Sequence, residues 1–265
     1  MTESRKGVVN SSPATASSRS VFRDLKHFPN HYTIRTVPND TMKTDTRSPV
    51  SNLAEIRPLT IGTVAIALLA LPLFAVLEET AILDIGRVGE LAIEWGITAV
   101  VVGIAVGIED RSFTDIGFRR PAWIDIGYLI VTAVAALLVF AGTDPLVSAL
   151  GLPVSEDSGT MATGVGLTLA LAGAVTTGVV EEILFRGYPI ERLLDYSDNV
   201  ALVGGITWAV FTAAHTVVWP VGNLVQIAAV AAVFTVVYLR RRTLYPVIGA
   251  HVLVWVFAVL GQFYG

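Results

Sequence analysis

From about residue 58 onward the chain alternates between short polar connections and apolar runs, each roughly the ~20 residues that a membrane-spanning helix needs. Seven such runs stand out, over about 58–77, 89–108, 124–141, 163–185, 200–218, 222–239 and 245–263. A run of that length covers the roughly 30 Å hydrocarbon layer of a bilayer when it is helical. Backbone polar groups can be satisfied inside lipid only by helices or closed barrels, and long unbroken apolar runs select helices. The pattern therefore predicts an all-α fold, a polytopic transmembrane helix bundle of about seven spans covering residues 57–265. Residues 1–56 differ. They are rich in Ser, Thr, Arg and Asn and have no lasting apolar period, which predicts a disordered cytosolic tail.

The connections refine this picture. Pro58, Pro121 and Pro246 sit at or just before span starts, where a missing N–H does no harm. Arginines fall in alternate connections: Arg111, Arg119 and Arg120 after span two, Arg186 and Arg192 after span four, and Arg240, Arg241 and Arg242 after span six. The other connections are mostly acidic, as in Glu78, Glu79, Asp84, Arg87 and Glu90 between spans one and two, or carry no base at all. The positive-inside rule then predicts a multi-pass protein of the cell membrane with a cytosolic N-terminus and an external C-terminus. Gly103 and Gly107 have the small-xxx-small spacing that lets helices pack closely. Thr114 to Phe118, before Arg119-Arg120-Pro121, reads as a short interfacial turn, with Trp123 in the aromatic belt.

Composition agrees. Of the 265 residues, 53% are hydrophobic and only 15% charged, against about 25% charged in soluble domains. The net charge of −4 and the lack of a basic, aromatic-rich cluster argue against a nucleic-acid partner. With no cysteine, disulfides, thiolate metal sites and a cysteine nucleophile are excluded.

Against this apolar background Glu181, Glu182 and Arg186 stand at the end of span four, His215 in span five and His251 in span seven. Ionisable residues inside a membrane are expensive and point to function. Glu182 and Arg186 stand at i,i+4 and are expected to pair along one helix face. Glu181 is turned about 100° from Glu182 and is free to face a cavity, with Thr177 one turn away as a hydrogen-bond donor. Phe211 lies one turn before His215.

A carboxylate and a neutral imidazole sharing one water can deprotonate it for attack on a carbonyl, and a second histidine can support the developing oxyanion. Two other uses of the same residues stay open: zinc ligation by the histidines and glutamates, and proton relay in a transporter. On straight helices Glu181 lies nearer the cytosol than His215. Starting span five at Gly204, with residues 190–203 as a surface helix, would narrow that gap.

These motifs resemble those of the CAAX-protease and bacteriocin-processing family of intramembrane proteases, which includes the type II CAAX prenyl endopeptidases. Glu181, Glu182 and Arg186 match Glu-Glu-x-x-x-Arg, Phe211 and His215 match Phe-x-x-x-His, and His251 matches the histidine of His-x-x-x-Asn. Trp255 stands in place of that Asn. The resemblance implies an endopeptidase acting on peptide or membrane-protein substrates at the bilayer, through a cavity reached from the cytosol and without a cofactor, zinc being the alternative. It gives Glu181 the role of base, with His215 polarising the same water. Glu182 and Arg186 hold the site, and His251 acts at the oxyanion, alone or with Asn223 or Gln226 of span six. A non-proteolytic transporter or scaffold retaining the polar core is the alternative function.

Overall fold

The computed structural model describes residues 58–83, 85–155 and 164–264. The tail expected over residues 1–56 lies outside them. All regular structure among the described residues is helical: α1 (Pro58–Glu79), α2 (Gly86–Gly107), α3 (Trp123–Ala149), α4 (Leu167–Glu181), α5 (Tyr188–Leu194), α6 (Val200–Ala214), α7 (Val221–Arg241) and α8 (Tyr245–Tyr264). A π-helical turn, Glu182–Gly187, joins α4 to α5, and these three pieces make one span of 28 residues. Among the described residues seven helical segments are therefore long and apolar enough to cross a membrane. Large apolar side chains such as Leu73, Val131 and Leu138 stay more than 60% exposed on their outer faces, as expected of helices solvated by lipid tails.

The bundle forms around α4, which packs against α8 and α2, while α3 packs against both α7 and α8. Close approach is set by glycine. A Cβ on Gly178 would sit 2.6 Å from Val252 Cγ2 and 2.8 Å from the Val252 backbone nitrogen, so α4 and α8 touch backbone to backbone one turn before Glu181 and beside His251. The small-residue pair predicted for this role does not play it: Cβ atoms on Gly103 and Gly107 would meet nothing within 4 Å. Both glycines face outward from α2.

Ion pairs tie together the end of the bundle that carries the arginines. Glu191 on α5, 7% exposed, accepts from Arg119 (3.0 Å), from Arg242 (2.5 Å) and from the Tyr238 hydroxyl (2.8 Å). Arg192 pairs with Glu109 (3.2 Å) and with Asp195, which also meets Arg111 at 3.2 Å. Glu109 in turn accepts from Thr60 and Tyr188. Asp125 caps α3 by accepting from the Ala122 N–H and pairs with Arg241. Helices α1, α2, α3, α5 and α7 are thereby joined at one level.

The interfacial turn expected near residue 115 is more deeply built than that reading implied. Phe113–Ile116 form a 3-10 turn closed by a Ser112–Asp115 capping box, and hydrogen bonds from Ser112 hold the Asp115 carboxyl below its ordinary range. Ile116 is fully buried. Gly117 takes φ +100°, a conformation other residues avoid, and its carbonyl accepts from the Leu244 N–H at 2.9 Å. The segment between spans two and three is thus sewn to the start of α8, the helix that carries His251.

Two substitutions test this scaffold. Gly178→Val should overpack the α4–α8 contact and lower stability by about 1–3 kcal/mol, seen as a lower melting temperature in detergent. Glu191→Ala should leave the buried Tyr238 hydroxyl unpaired at a cost of about 1–3 kcal/mol. Adding Tyr238→Phe to it should recover part of that loss.

Candidate active site

The local sequence explains why the polar cluster sits where it does. In a continuous helix Pro189 would lack its N–H and its ring would press on the preceding turn. Instead the backbone widens: the Tyr188 N–H bonds to the Ile183 carbonyl, the i→i−5 pattern of a π turn. Such π turns recur at functional sites, and this one carries Glu182 and Arg186.

Continuing through α5 makes span four end at Leu194 rather than near Phe185, which removes the depth mismatch. At about 1.5 Å per residue, Glu181 stands about 20 Å from Leu194 and His215 about 22 Å from Val200, so the two levels agree within about 3 Å. The late start expected for span five is not seen. α6 begins at Val200, and residues 190–192 are buried within span four instead of forming a surface helix.

Glu182 is completely buried. Its Oε1 accepts from Arg186 Nη1 at 3.0 Å and from His251 Nδ1 at 2.8 Å, while Oε2 is sealed from solvent and has no partner among the described residues. The expected Glu182–Arg186 pair is therefore present, and it extends across to α8. Because the carboxylate accepts, His251 carries its proton on Nδ1. Its Nε2 receives the Trp255 indole N–H at 3.1 Å, a group that can only donate. The partners fix the tautomer: His251 is neutral, with its Nε2 lone pair already engaged.

Glu181 points elsewhere. It lines a cavity of about 690 Å³ together with His215 and His251, and its Oε2 is 3.9 Å from His251 Nε2. Among the described residues no hydrogen bond joins Thr177 to either carboxylate. The α4 threonine with a side-chain partner is Thr176, which accepts from Trp95 Nε1 at 3.0 Å. His215 donates Nδ1–H to the Phe211 carbonyl at 2.8 Å, since a carbonyl only accepts. Its Nε2 is left as an acceptor.

Phe211 couples the two halves of the site. The Arg186 guanidinium lies 4.0 Å from its ring centroid, Phe185 meets it edge-on at 5.1 Å, and the His215 ring is 4.6 Å away. Two flanking aromatics escaped the sequence reading of roles, Trp219 against His215 and Phe234 against His251, while Trp255, read there as standing in place of the Asn, is a donor to His251. Of the two, only Trp219 has an i,i+4 spacing to its histidine that could have flagged it.

All five predicted site residues line the one cavity. Its far wall includes Asp144 on α3, Ser155, Asn223 on α7 and Gln262 on α8. These positions belong to the end of the bundle away from the arginines. The cavity expected to be reached from the arginine-bearing, cytosolic side therefore runs toward the opposite end. At the arginine-bearing end stand the ion pairs of Glu191, Glu109 and Asp195, with a separate cavity of about 350 Å³ lined by Thr60, Glu109, Arg111 and Arg192 among others.

A zinc centre would need three or four converging donors. Among the described residues no group of three His, Cys, Asp or Glu is arranged to hold a metal ion. The site's own bonds explain this: both His251 nitrogens and one His215 nitrogen are already engaged. The residues present do not fit that metal.

No curated protein and no solved structure matches the chain. Residues 163–257 match the family described as type II CAAX prenyl endopeptidase Rce1-like, over a stretch that runs from before α4 to past His251 and holds Glu181, Glu182, Arg186, Phe211, His215 and His251.

Proposed function

We propose that the protein is an intramembrane endopeptidase that hydrolyses peptide bonds of membrane-associated substrates with a water activated by Glu181 and His215. The observation that carries this reading is the division of the two carboxylates. Glu182 is closed off and bonded to Arg186 and His251, whereas Glu181 and His215 Nε2 remain open acceptors on one cavity.

Two acceptors at matching depth can each take a hydrogen bond from one water. As the water attacks a substrate carbonyl carbon, its proton passes to Glu181. His215, held by the Phe211 carbonyl, orients the same water through Nε2. Collapse of the tetrahedral intermediate breaks the C–N bond, and the proton on Glu181 moves to the departing nitrogen. General base assistance of this kind contributes about 10²–10⁴-fold in rate.

The predominantly apolar cavity wall suits a peptide held within the bilayer, and the Rce1-like match over residues 163–257 supports a peptide or membrane-protein substrate. Glu182, Arg186 and His251 fix the geometry, with Trp255 setting the His251 tautomer.

The test is cleavage of a broad pool of peptides by the purified protein in proteoliposomes, read by mass spectrometry. Glu181→Gln and His215→Ala should each lower kcat by about 10²–10⁴-fold while leaving the melting temperature near that of wild type. Glu182→Gln should instead destabilise the fold by about 3–5 kcal/mol, because Arg186 becomes an uncompensated buried charge. Wild-type turnover in both Glu181→Gln and His215→Ala would remove the reading, and proton uptake into the vesicles without cleavage would favour the transporter. Cleavage should persist in chelator; a loss restored by added zinc would overturn the metal-free water.

A further inference from the structure

The family pattern places an Asn at i+4 from the α8 histidine, and here that position is Trp255, which spends its N–H on His251 Nε2. That contact has a consequence for the oxyanion. A group stabilising developing negative charge must donate a hydrogen bond, and His251 Nε2 carries a lone pair rather than a proton. Neither His251 nor Trp255 is free to serve as that donor while the contact holds.

Another amide must be considered. Asn223 is engaged: its Oδ1 accepts from the Ser155 N–H at 2.9 Å, and its Nδ2 faces the Ser155 carbonyl at 3.5 Å. Gln226 is not. It is 2% exposed and lines the cavity, yet its side chain makes no hydrogen bond to any described residue. Its amide atoms are also absent from the sealed, unpartnered set that includes Glu182 Oε2, so they open onto the cavity. Buried amides left without a partner are rare and call for an explanation.

Its level fits. Gln226 sits as far before Arg241, at the end of α7, as His215 sits after Val200, at the start of α6. At about 1.5 Å per residue both stand about 22 Å from the arginine-bearing ends of adjacent antiparallel helices.

We infer that the Gln226 side-chain amide is the donor that holds the scissile carbonyl oxygen of the substrate, taking over the role of the absent Asn. The inference rests on the proteolytic reading above. When the water oxygen bonds to the carbonyl carbon, its proton goes to Glu181 and the carbonyl π pair moves onto oxygen. The Gln226 N–H donates to that oxygen. The pair returns as the C–N bond breaks and the nitrogen takes the proton from Glu181. No other reactant is required, and the substrate oxygen supplies the partner that the buried amide lacks.

The experiment uses the full-length protein in proteoliposomes and the same peptide pool. Gln226→Ala and Gln226→Leu should lower kcat by about 10²–10³-fold with KM changed less than threefold, Gln226→Leu controlling for the lost volume. Adding Trp255→Asn to Gln226→Ala should recover at least tenfold, since an Asn amide one turn after His251 supplies a donor by the other route. A kcat within threefold of wild type in both Gln226 variants, with Glu181→Gln still inactive, overturns this inference and leaves the proteolytic reading standing. No cleavage by wild type overturns both. If both Gln226 variants lose the wild-type melting temperature together with activity, and Trp255→Asn restores neither, Gln226 is structural and the inference fails.

Discussion

A single carboxylate oxygen, Oε1 of Glu182, holds the site together. It receives Arg186 from one turn along its own helix and His251 from the facing helix, inside a region with no access to solvent. Such a pair is not a cheap source of stability, because desolvating both ions offsets much of their attraction. Its value is directional. The carboxylate fixes where the guanidinium lies against Phe211 and which nitrogen of His251 carries the proton. Through Phe211 the same constraint reaches His215, so residues from α4, α6 and α8 are oriented by one charge.

Adjacent residues on a helix point about 100° apart, and here that turn sends the two glutamates to different surroundings. Glu181 ends the α-helical run, and Glu182 opens the π turn that precedes Pro189. Glu182 is directed into the α4–α8 contact made possible by Gly178, and Glu181 onto the cavity. Consecutive residues thus supply one anion sealed in the packing and one that faces the cavity.

Much of this was legible in the sequence because membrane solvation is so restrictive. Seven apolar runs could only be helices, and charges at Glu181, Glu182, Arg186, His215 and His251 stood out against them. The i,i+4 relation of Glu182 to Arg186 also carried through, since widening the turn did not break the pair. What failed to read depended on contacts between distant residues. The length of span four was hidden because its last turns, Tyr188 to Leu194, carry charges that are buried in ion pairs rather than exposed at an interface. The direction of the cavity could not be read, because arginine placement marks the ends of helices without saying which end is filled. Gly103 and Gly107 had the right spacing for close packing but face away from the other helices, whereas Gly178 and Gly249 lie against them. The Trp255 contact to His251 was equally hidden, since an i,i+4 spacing says nothing about which ring nitrogen is met.

The two ends of the bundle are held very differently. At the arginine-bearing end Glu191, Glu109, Asp195 and Asp125 rivet together helices that are far apart along the chain. At the other end the described ion pair, Arg87 with Glu90, lies within a single helix, and the bonds between elements are neutral ones, from the Gly222 N–H to the Pro153 carbonyl and from the Ser155 N–H to Asn223 Oδ1. Mechanically the bundle is a set of rods clamped by charge at one end and latched by fewer, neutral bonds at the other, and local opening concentrates where bonds between elements are fewest. Any opening of the bundle would therefore fall at the end toward which the cavity runs and leave the ion-paired end at its spacing.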